Sequence, residues 1–472
     1  MHRLCPALLL CAVAAGCARF EAKPVSPAQT ASALESRTLD DPGLRSFLEK
    51  NLRRDPAPAP APAWDFEMLA LAALYYHPDL EVARAEWDVA RAAIQTAGGR
   101  PNPTLNVTPG LNFSHVNAAP GLSPWFPTVS FDLPLETAGK RGYRIAQARQ
   151  LSESARLNIA ATAWQVRAGV RASLLDFSAA RQREALLQNE ISIQQQVIAL
   201  LEQQIQAGAM AAQEAVSFRL ALQKTRLDLA DARREGAESR ARLAESIGVP
   251  VRALDGVEVS TVFPDAAAAA SLTSEEMRRE ALLGRADILA ALADYAAAQS
   301  ALQLEIARQY PDIQLSPGYQ FDQGDNMYSL GLTVELPVLN QNQGPIAEAA
   351  ARRVEAAARF SALQAKVIAD IDAAVESFRA TEKSLALLQD LAATQAKSRD
   401  AIAGQVSAGA AAPLDLLNAQ LELAEAEEVQ LEAQVKRQQS VAALEDAVQR
   451  PIEMITPGVI ERNPAAAKEK KP

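Results

Sequence analysis

Two hydrophobic rhythms divide this chain. In four short stretches the apolar residues fall at every second position. Leu105, Val107, Leu111 and Phe113 alternate with Thr104, Asn106, Thr108 and Asn112. Val129, Phe131, Leu133 and Leu135 form a second such row, and Ile313, Leu315, Tyr319 and Phe321 a third. Tyr328, Leu330, Leu332, Val334 and Leu336 form the fourth. A period of two places each set on one face of a strand, so strands are predicted over about 103–115, 125–136, 311–322 and 327–338. The turn-rich runs HVNAAPGLSP and DQGDN make each pair a hairpin. About nine to eleven residues is the length a tilted strand needs to cross a bilayer.

Elsewhere the spacing is that of helices. Val216, Leu220, Gln223, Leu227, Ala230, Arg234, Ala237, Ala241 and Ala244 alternate steps of four and three, which predicts a heptad seam. Ile191, Gln194, Ile198, Leu201 and Ile205 predict a second. No strong breaker interrupts Lys140 to Gln206, and a helix of that span is a rod about 100 Å long. Breakers are concentrated at QAGAMAAQE (206–214) and SAGAAAPLD (407–415), where Gly208, Gly409 and Pro413 stand. Inside a helix, glycine costs about 1 kcal/mol and proline about 3 kcal/mol.

The two rhythms occur twice in the same order. HPDLEVARAEWDVARAAIQ (77–95) matches RADILAALADYAAAQSALQ (285–303), and RPNPTLNVTPGLNF (100–113) matches QYPDIQLSPGYQF (309–321). SFDLPLETAGKRG (130–142) matches TVELPVLNQNQGP (333–345), and the two breaker segments match each other. Four landmarks in one order predict a duplicated body. The first repeat spans 64–250, a connection 251–284, and the second repeat 285–452. A semi-rigid spacer, DPAPAPAPAW, precedes the body and a helical piece over 42–54 precedes the spacer; a short polar tail, 453–472, follows the body.

MHRLCPALLLCAVAAGC opens with Arg3 and an apolar run too short to span a bilayer, so residues 1–16 read as a secretory signal. AAGC resembles the lipobox of bacterial lipoproteins, with Cys17 as the lipid-modified residue, although Ala14 stands where that motif has leucine. The alternative is ordinary cleavage near Gly16. Ala18, in place of a retaining aspartate, directs the anchor to outer-membrane lipid. The three cysteines are Cys5, Cys11 and Cys17, so removal of residues 1–16 leaves Cys17 as the sole thiol and no internal disulfide can form. The net charge of −10 with mixed signs offers no footprint for nucleic acid.

Four strands with open edges cannot sit in lipid alone, because each unpaired backbone group costs several kcal/mol there. Copies must therefore pool their strands. A dimer would give a barrel filled by its own side chains; a trimer leaves a lumen for the polar face, and is the state expected here. A soluble sheet with one wet face is the simpler reading of each stretch taken singly.

The duplicated helix–hairpin–helix units, the lipobox and the paired glycine breaks resemble the TolC-like outer membrane factors, over roughly residues 64–452. RPNPTL, ETAGKR and LNQNQG most resemble the heavy-metal efflux, CzcC-like branch. The resemblance implies a mainly helical fold with a membrane β-barrel contribution. It implies a homotrimer with a twelve-stranded barrel, four strands per chain, on a long coiled-coil tunnel. It also implies no enzyme activity and no cofactor, but a passive outer-membrane duct with a periplasmic extension. Its partners would be a periplasmic adaptor and an inner-membrane pump of the RND type, and its cargo heavy-metal cations. Multidrug efflux and type I protein secretion are the alternatives within the family. In the family a glycine followed six residues later by an acid marks each turn at the tip. Gly208 with Glu214, and Gly409 with Asp415, match that spacing. Both tips, Pro413 included, then become adaptor-docking sites, with Asp415 at the periplasmic aperture. Local chemistry also accounts for them, since glycine caps one helix, Pro413 suits the first turn of the next, and an acid suits a helix N-terminus. Ala411 departs from relatives that carry a latching arginine there.

Two other classes compete. For an enzyme, only His77 and His115 survive leader removal, and neither lies beside a nucleophile; His77 before Pro78 reads as a helix start. So few His and Cys residues also exclude a soft metal site. A lipid-anchored structural coiled coil remains the last rival, and it gives the four alternating stretches no purpose.

Overall fold

The computed structural model describes residues 20–52, 63–111, 123–263 and 273–451. The signal segment, Cys17, most of the proline-rich spacer, His115 with the first hairpin's turn, and the tail lie outside these residues. Two short helices come first, α1 (Pro27–Glu35) and α2 (Pro42–Asn51), with Ser26 and Asp41 capping their first turns. In the first repeat α3 (Phe66–Tyr76) and α4 (Pro78–Gly98) lead to β1 (Thr104–Thr108) and β2 (Thr128–Leu135). A 67-residue helix, α5 (Lys140–Gln206), then runs to the first breaker segment, and α6 (Ala215–Ile247) returns. The same order follows in the second half once α7 (Ser274–Gly284), which lies in the segment expected as the connection, is counted with the second repeat: α8 (Ala286–Ala307), β3 (Ile313–Asp322), β4 (Asp325–Val334), α9 (Gln343–Ser407) and α10 (Pro413–Val448).

The long helix α5 packs toward the sheet on α4 and α8, and toward the breaker segments on α6 and α10; α9 packs toward the sheet on α8 and toward the breaker segments on α10. Where these partners meet, the apolar residues gather. One core joins Leu44 and Leu48 of α2, Leu69 and Ala72 of α3, Val170 and Leu174 of α5, and Leu243 and Ile247 of α6. Its counterpart joins Met277, Ile288, Ile371, Val375, Leu444 and Val448. α1 had no strong signal in the sequence. It carries no buried residue, and its neighbours in the chain hold the segment instead: Arg37 donates to the carbonyls of Tyr76 (2.7 Å) and Gly248 (2.9 Å).

The four strands form one antiparallel sheet in the order β1-β2-β3-β4. The expected strands over 103–115 and 125–136 are shorter in the ladder, where Thr104–Thr108 pairs with Thr128–Asp132. The fourth ends at Val334 rather than near 338, because its partner in the ladder, β3, begins opposite it at Ile313. Among the described residues no helix is long and apolar enough to cross a membrane.

One expectation fails by a single residue. The seam from Val216 through Leu220 and Leu227 is not the face that α6 turns to α5; these side chains are 41, 65 and 69% exposed. The buried row is Ala215, Leu222, Thr225, Ala232, Ser239 and Leu243, and of the expected seam only its last member, Ala244, is buried. Both rows have heptad spacing, and only one can face the partner within the chain. The second seam is partly inside, with Gln194 and Leu201 buried.

Candidate functional site

The sheet sorts its chemistry by face. Register places Leu105 opposite Phe131, Val107 opposite Val129, Leu133 opposite Leu315, and Pro317 opposite Leu330. One side is therefore apolar across all four strands. On the other side Thr104 faces Asp132, Asn106 faces Ser130, Ser130 faces Gly318, and Gly318 faces Ser329. The apolar side is the open one in β2, where Phe131, Leu133 and Leu135 are exposed while Ser130 and Asp132 are half-buried. The outer strands β1 and β4 each pair on one side only.

The motifs ETAGKR and LNQNQG form the joints between this sheet and the rods. Ala138 (φ 54°) and Gly139 (φ 73°) turn the chain into α5, and Asn342 (φ 61°) turns it into α9. Lys140 then donates to Asp312 at 2.8 Å, and Thr137 N–H donates to the same carboxylate at 2.9 Å. Arg144 grips Glu136 through both oxygens, and Asn342 donates to Glu305. Each joint thus ties one element's start to another element's end, which fixes the rod's angle to the sheet.

At the far end the two breaker segments lie together. Val197, Leu201 and Ala215 form a small core with Met210 and Phe218 of the first turn and Leu414, Leu417 and Leu421 of the second. Gly208 (φ 70°) and Gly409 (φ 73°) take the left-handed conformation that glycine adopts freely. Behind each, the last helical carbonyls are satisfied: Ala209 N–H reaches Gln204 (2.9 Å) and Ala410 N–H reaches Gln405 (2.8 Å). The turns then diverge. Ala212–Glu214 forms a single 3-10 turn, and Glu214 makes no side-chain cap. Pro413 instead opens α10 directly, and Asp415 accepts from Ala412 N–H at 2.9 Å. Among the described residues no group of His, Cys, Asp and Glu is placed to hold a metal ion.

The duplicated order of helices and strands, with this two-faced sheet, can be matched to known proteins. The sequence profile of the outer membrane efflux proteins fits residues 69–249 and 277–448, most of the chain, and skips the connection between the repeats. The chain belongs to the outer membrane efflux protein family. The family resemblance expected from its duplicated units therefore holds. Among curated proteins it is similar to the cobalt-zinc-cadmium resistance protein CzcC of Cupriavidus metallidurans, at 26% identity over 272 residues, 56% of this chain and 61% of that protein. In solved structures its fold matches the outer-membrane channel OprN, with TM-score 0.66 and 19% identity over 82% of this chain and 90% of that one. The outer membrane protein VceC of Vibrio cholerae matches as well, at TM-score 0.66 and 18% identity, covering 82% of this chain and 96% of that one. The fold class is thus that of the outer membrane efflux channels, mainly helical with a small sheet, and the family is not one of enzymes.

Sequence reasoning placed Gly208, Glu214, Gly409, Pro413 and Asp415 at two turns, and in this family member they share one end of the molecule. What it missed sits midway along the rods. Arg171, buried in α5, pairs with the buried Glu445 of α10 and stacks over the ring of Phe66. Arg167 adds a second bond to Glu445 at 3.2 Å. The partners are 274 residues apart, and no local pattern announces such a pair.

Proposed function

We propose that three copies of this chain pool their four-stranded sheets into one outer-membrane barrel and their rods into one periplasmic tunnel, forming a passive exit duct for a tripartite efflux system. The observation that carries this reading is the sheet: two open edges, one apolar face and one polar face. In lipid both edges must be paired, and pairing β1 of one copy with β4 of the next does so without new elements. The exposed seam of Val216, Leu220 and Leu227 supports the same assembly, because it gives each rod a second apolar row for a neighbour. Cys17 would carry the lipid anchor. The tips at Gly208–Glu214 and Gly409–Asp415 would dock a periplasmic adaptor that links the duct to an inner-membrane pump, with Asp415 at the aperture. For cargo, the similarity to a cobalt-zinc-cadmium resistance protein favours heavy-metal cations over drugs or proteins.

The test is to replace Cys17, extract the chain in detergent, and measure its oligomeric mass and its conductance in planar bilayers. A trimer that inserts and conducts is the expected result. A monomer that stays in solution without detergent would return the four strands to an ordinary sheet. Co-expression with a cognate adaptor and pump in a metal-sensitive host tests the cargo: restored tolerance to cobalt, zinc or cadmium supports it, and tolerance only to organic drugs refutes it.

A further inference from the structure

We propose that Asp132 makes the inside of the barrel selective for cations. This rests on the trimeric barrel reading above. Asp132 lies on the polar face of β2, where Thr104 is its register partner. The charged residues in the four strands are Asp132, Asp322 and Asp325, with no Lys, Arg or His among them. Asp322 and Asp325 face each other at the β3–β4 turn, at one end of the sheet. Toward the other end Lys140 binds Asp312 and Arg144 binds Glu136, while Glu335, just past the end of β4, forms no ion pair among the described residues. Asp132 forms no ion pair among the described residues and so leaves the body of the sheet with an uncompensated negative charge.

Its surroundings keep that charge in place. Asn106 Nδ2 donates to one carboxylate oxygen and Ser316 Oγ to the other, both at 2.6 Å. Neutral donors on both oxygens fix the carboxylate's direction without placing a cation against it. The neighbours on this face are small. A Cβ added at Gly318 would come within 2.9 Å of Ser329 Oγ, and one at Gly331 within 3.3 Å of Ser316 Cβ. The carboxylate therefore stands above a low floor of Ser130, Ser316, Gly318, Ser329 and Gly331. Three copies would set three such charges at one height in a lumen. Salt screens charges over about 8 Å at physiological strength and about 30 Å at 0.01 M, so the preference should grow as salt falls.

A local thiol reports this field without depending on how the tunnel's other end is gated. In a chain with Cys17 replaced, Ser130→Cys puts one thiol on the same face. Its rates of reaction with a cationic and an anionic methanethiosulfonate are compared in the detergent-purified oligomer and in liposomes. At low salt the cation-to-anion rate ratio should exceed that of a free thiol by about fivefold for a carboxylate at this range. Asp132→Asn should return it to the free-thiol ratio, and about 1 M salt should do the same. A low-salt ratio that Asp132→Asn leaves unchanged, on a protein of oligomeric mass, overturns the inference and spares the barrel. Failure of the barrel itself reads differently: the protein is monomeric, or Leu133→Cys on the apolar face reacts in liposomes as fast as Ser130→Cys.

Discussion

The two repeats build the same joint with different residues. Midway along the rods, each returning helix ends against the start of the helix that continues toward the sheet. In the first repeat α6 ends at Gly248 (φ 84°), whose carbonyl and that of Tyr76 are bridged by Arg37 from the N-terminal segment. In the second, α10 ends at Gln449 (φ 53°), whose Oε1 accepts from Ala286 N–H at 3.1 Å. There the bridging arginine is Arg285, inside the repeat, donating to the Ala447 carbonyl at 2.6 Å. Alignment of the repeats sets Arg171 against Asp372 and Ala244 against Glu445. Arg171 pairs across the repeats with Glu445, whereas Asp372 pairs within its own repeat with Arg278. The difference teaches that duplication preserved geometry while the charge pairs became asymmetric. One repeat leans on the segment before it, and the cross-repeat pair holds the two halves together.

Glu445→Ala is the largest way to break this arrangement. It leaves the buried Arg171 without its partner, and losing one member of a buried pair costs about 3–5 kcal/mol. Thermal unfolding should show a large loss of stability, while Asp372→Ala, at a half-exposed pair, should cost about 1 kcal/mol or less. Equal losses would mean the cross-repeat pair has no special place. Next come the bridging arginines. Arg285 is buried and also holds Asp287 at 2.6 and 3.0 Å, so Arg285→Ala should cost roughly 2–3 kcal/mol. Arg37→Ala should cost roughly 1–2 kcal/mol and also free residues 27–52, read as faster proteolysis of that segment alone.

Much of this architecture was legible, and the reason is periodicity. Leu105 to Leu336 announced the strands by alternation, and the uninterrupted run from Lys140 announced the rod, because both signals are local. Gly208, Gly409 and Pro413 were legible as turns because each has a backbone preference that a helix interior cannot use. The inner seam of α6 was misplaced by one residue for a physical reason. The rows Ala215–Leu243 and Val216–Ala244 both have heptad spacing and mix apolar with a few polar residues, and that spacing does not say which row faces within the chain. Arg171–Glu445 was illegible because burial and distance in sequence together decide it.

A third contrast concerns the two left-handed positions at the joints. A Cβ at Gly248 would lie 3.0 Å from the Tyr76 carbonyl oxygen, and the left-handed conformation adds about 1–2 kcal/mol for any other residue. Gly248→Ala should therefore cost about 2 kcal/mol by chemical denaturation. Gln449→Gly should change stability by less than about 1 kcal/mol, since relief at φ 53° offsets the lost bond to Ala286. At the tips the expected contrast is smaller. Asp415→Ala removes the bond to Ala412 N–H and a charge at a helix start, costing a few tenths to about 1 kcal/mol. Glu214→Ala, where no side-chain bond exists, should cost less. Hydrogen exchange of the first amides of α10 and α6 distinguishes the two.

The smallest effect separates the rods' lower halves. Between α5 and α6 a polar layer interrupts the apolar packing: Gln194 donates to Glu190 at 2.7 Å and to Thr225 at 3.0 Å. Burial pushes the Glu190 carboxyl above its ordinary range, with Glu428, Glu425 and Asp228 adding to it, against a lowering bond from Thr225. Leu391 stands at the aligned position of the second repeat and cannot titrate. A raised folded pKa means the folded chain holds this proton more tightly than the unfolded one. At pH below the ordinary glutamate value both states are protonated and no penalty exists. As pH rises from that value through the raised one, the unfolded state loses its proton first and stability falls. Glu190→Gln should flatten that decline in a denaturation series across the window, whereas Leu391→Gln should leave the slope as it is. A slope that survives Glu190→Gln would assign it to another carboxyl and remove the polar layer as a difference between the two helix pairs.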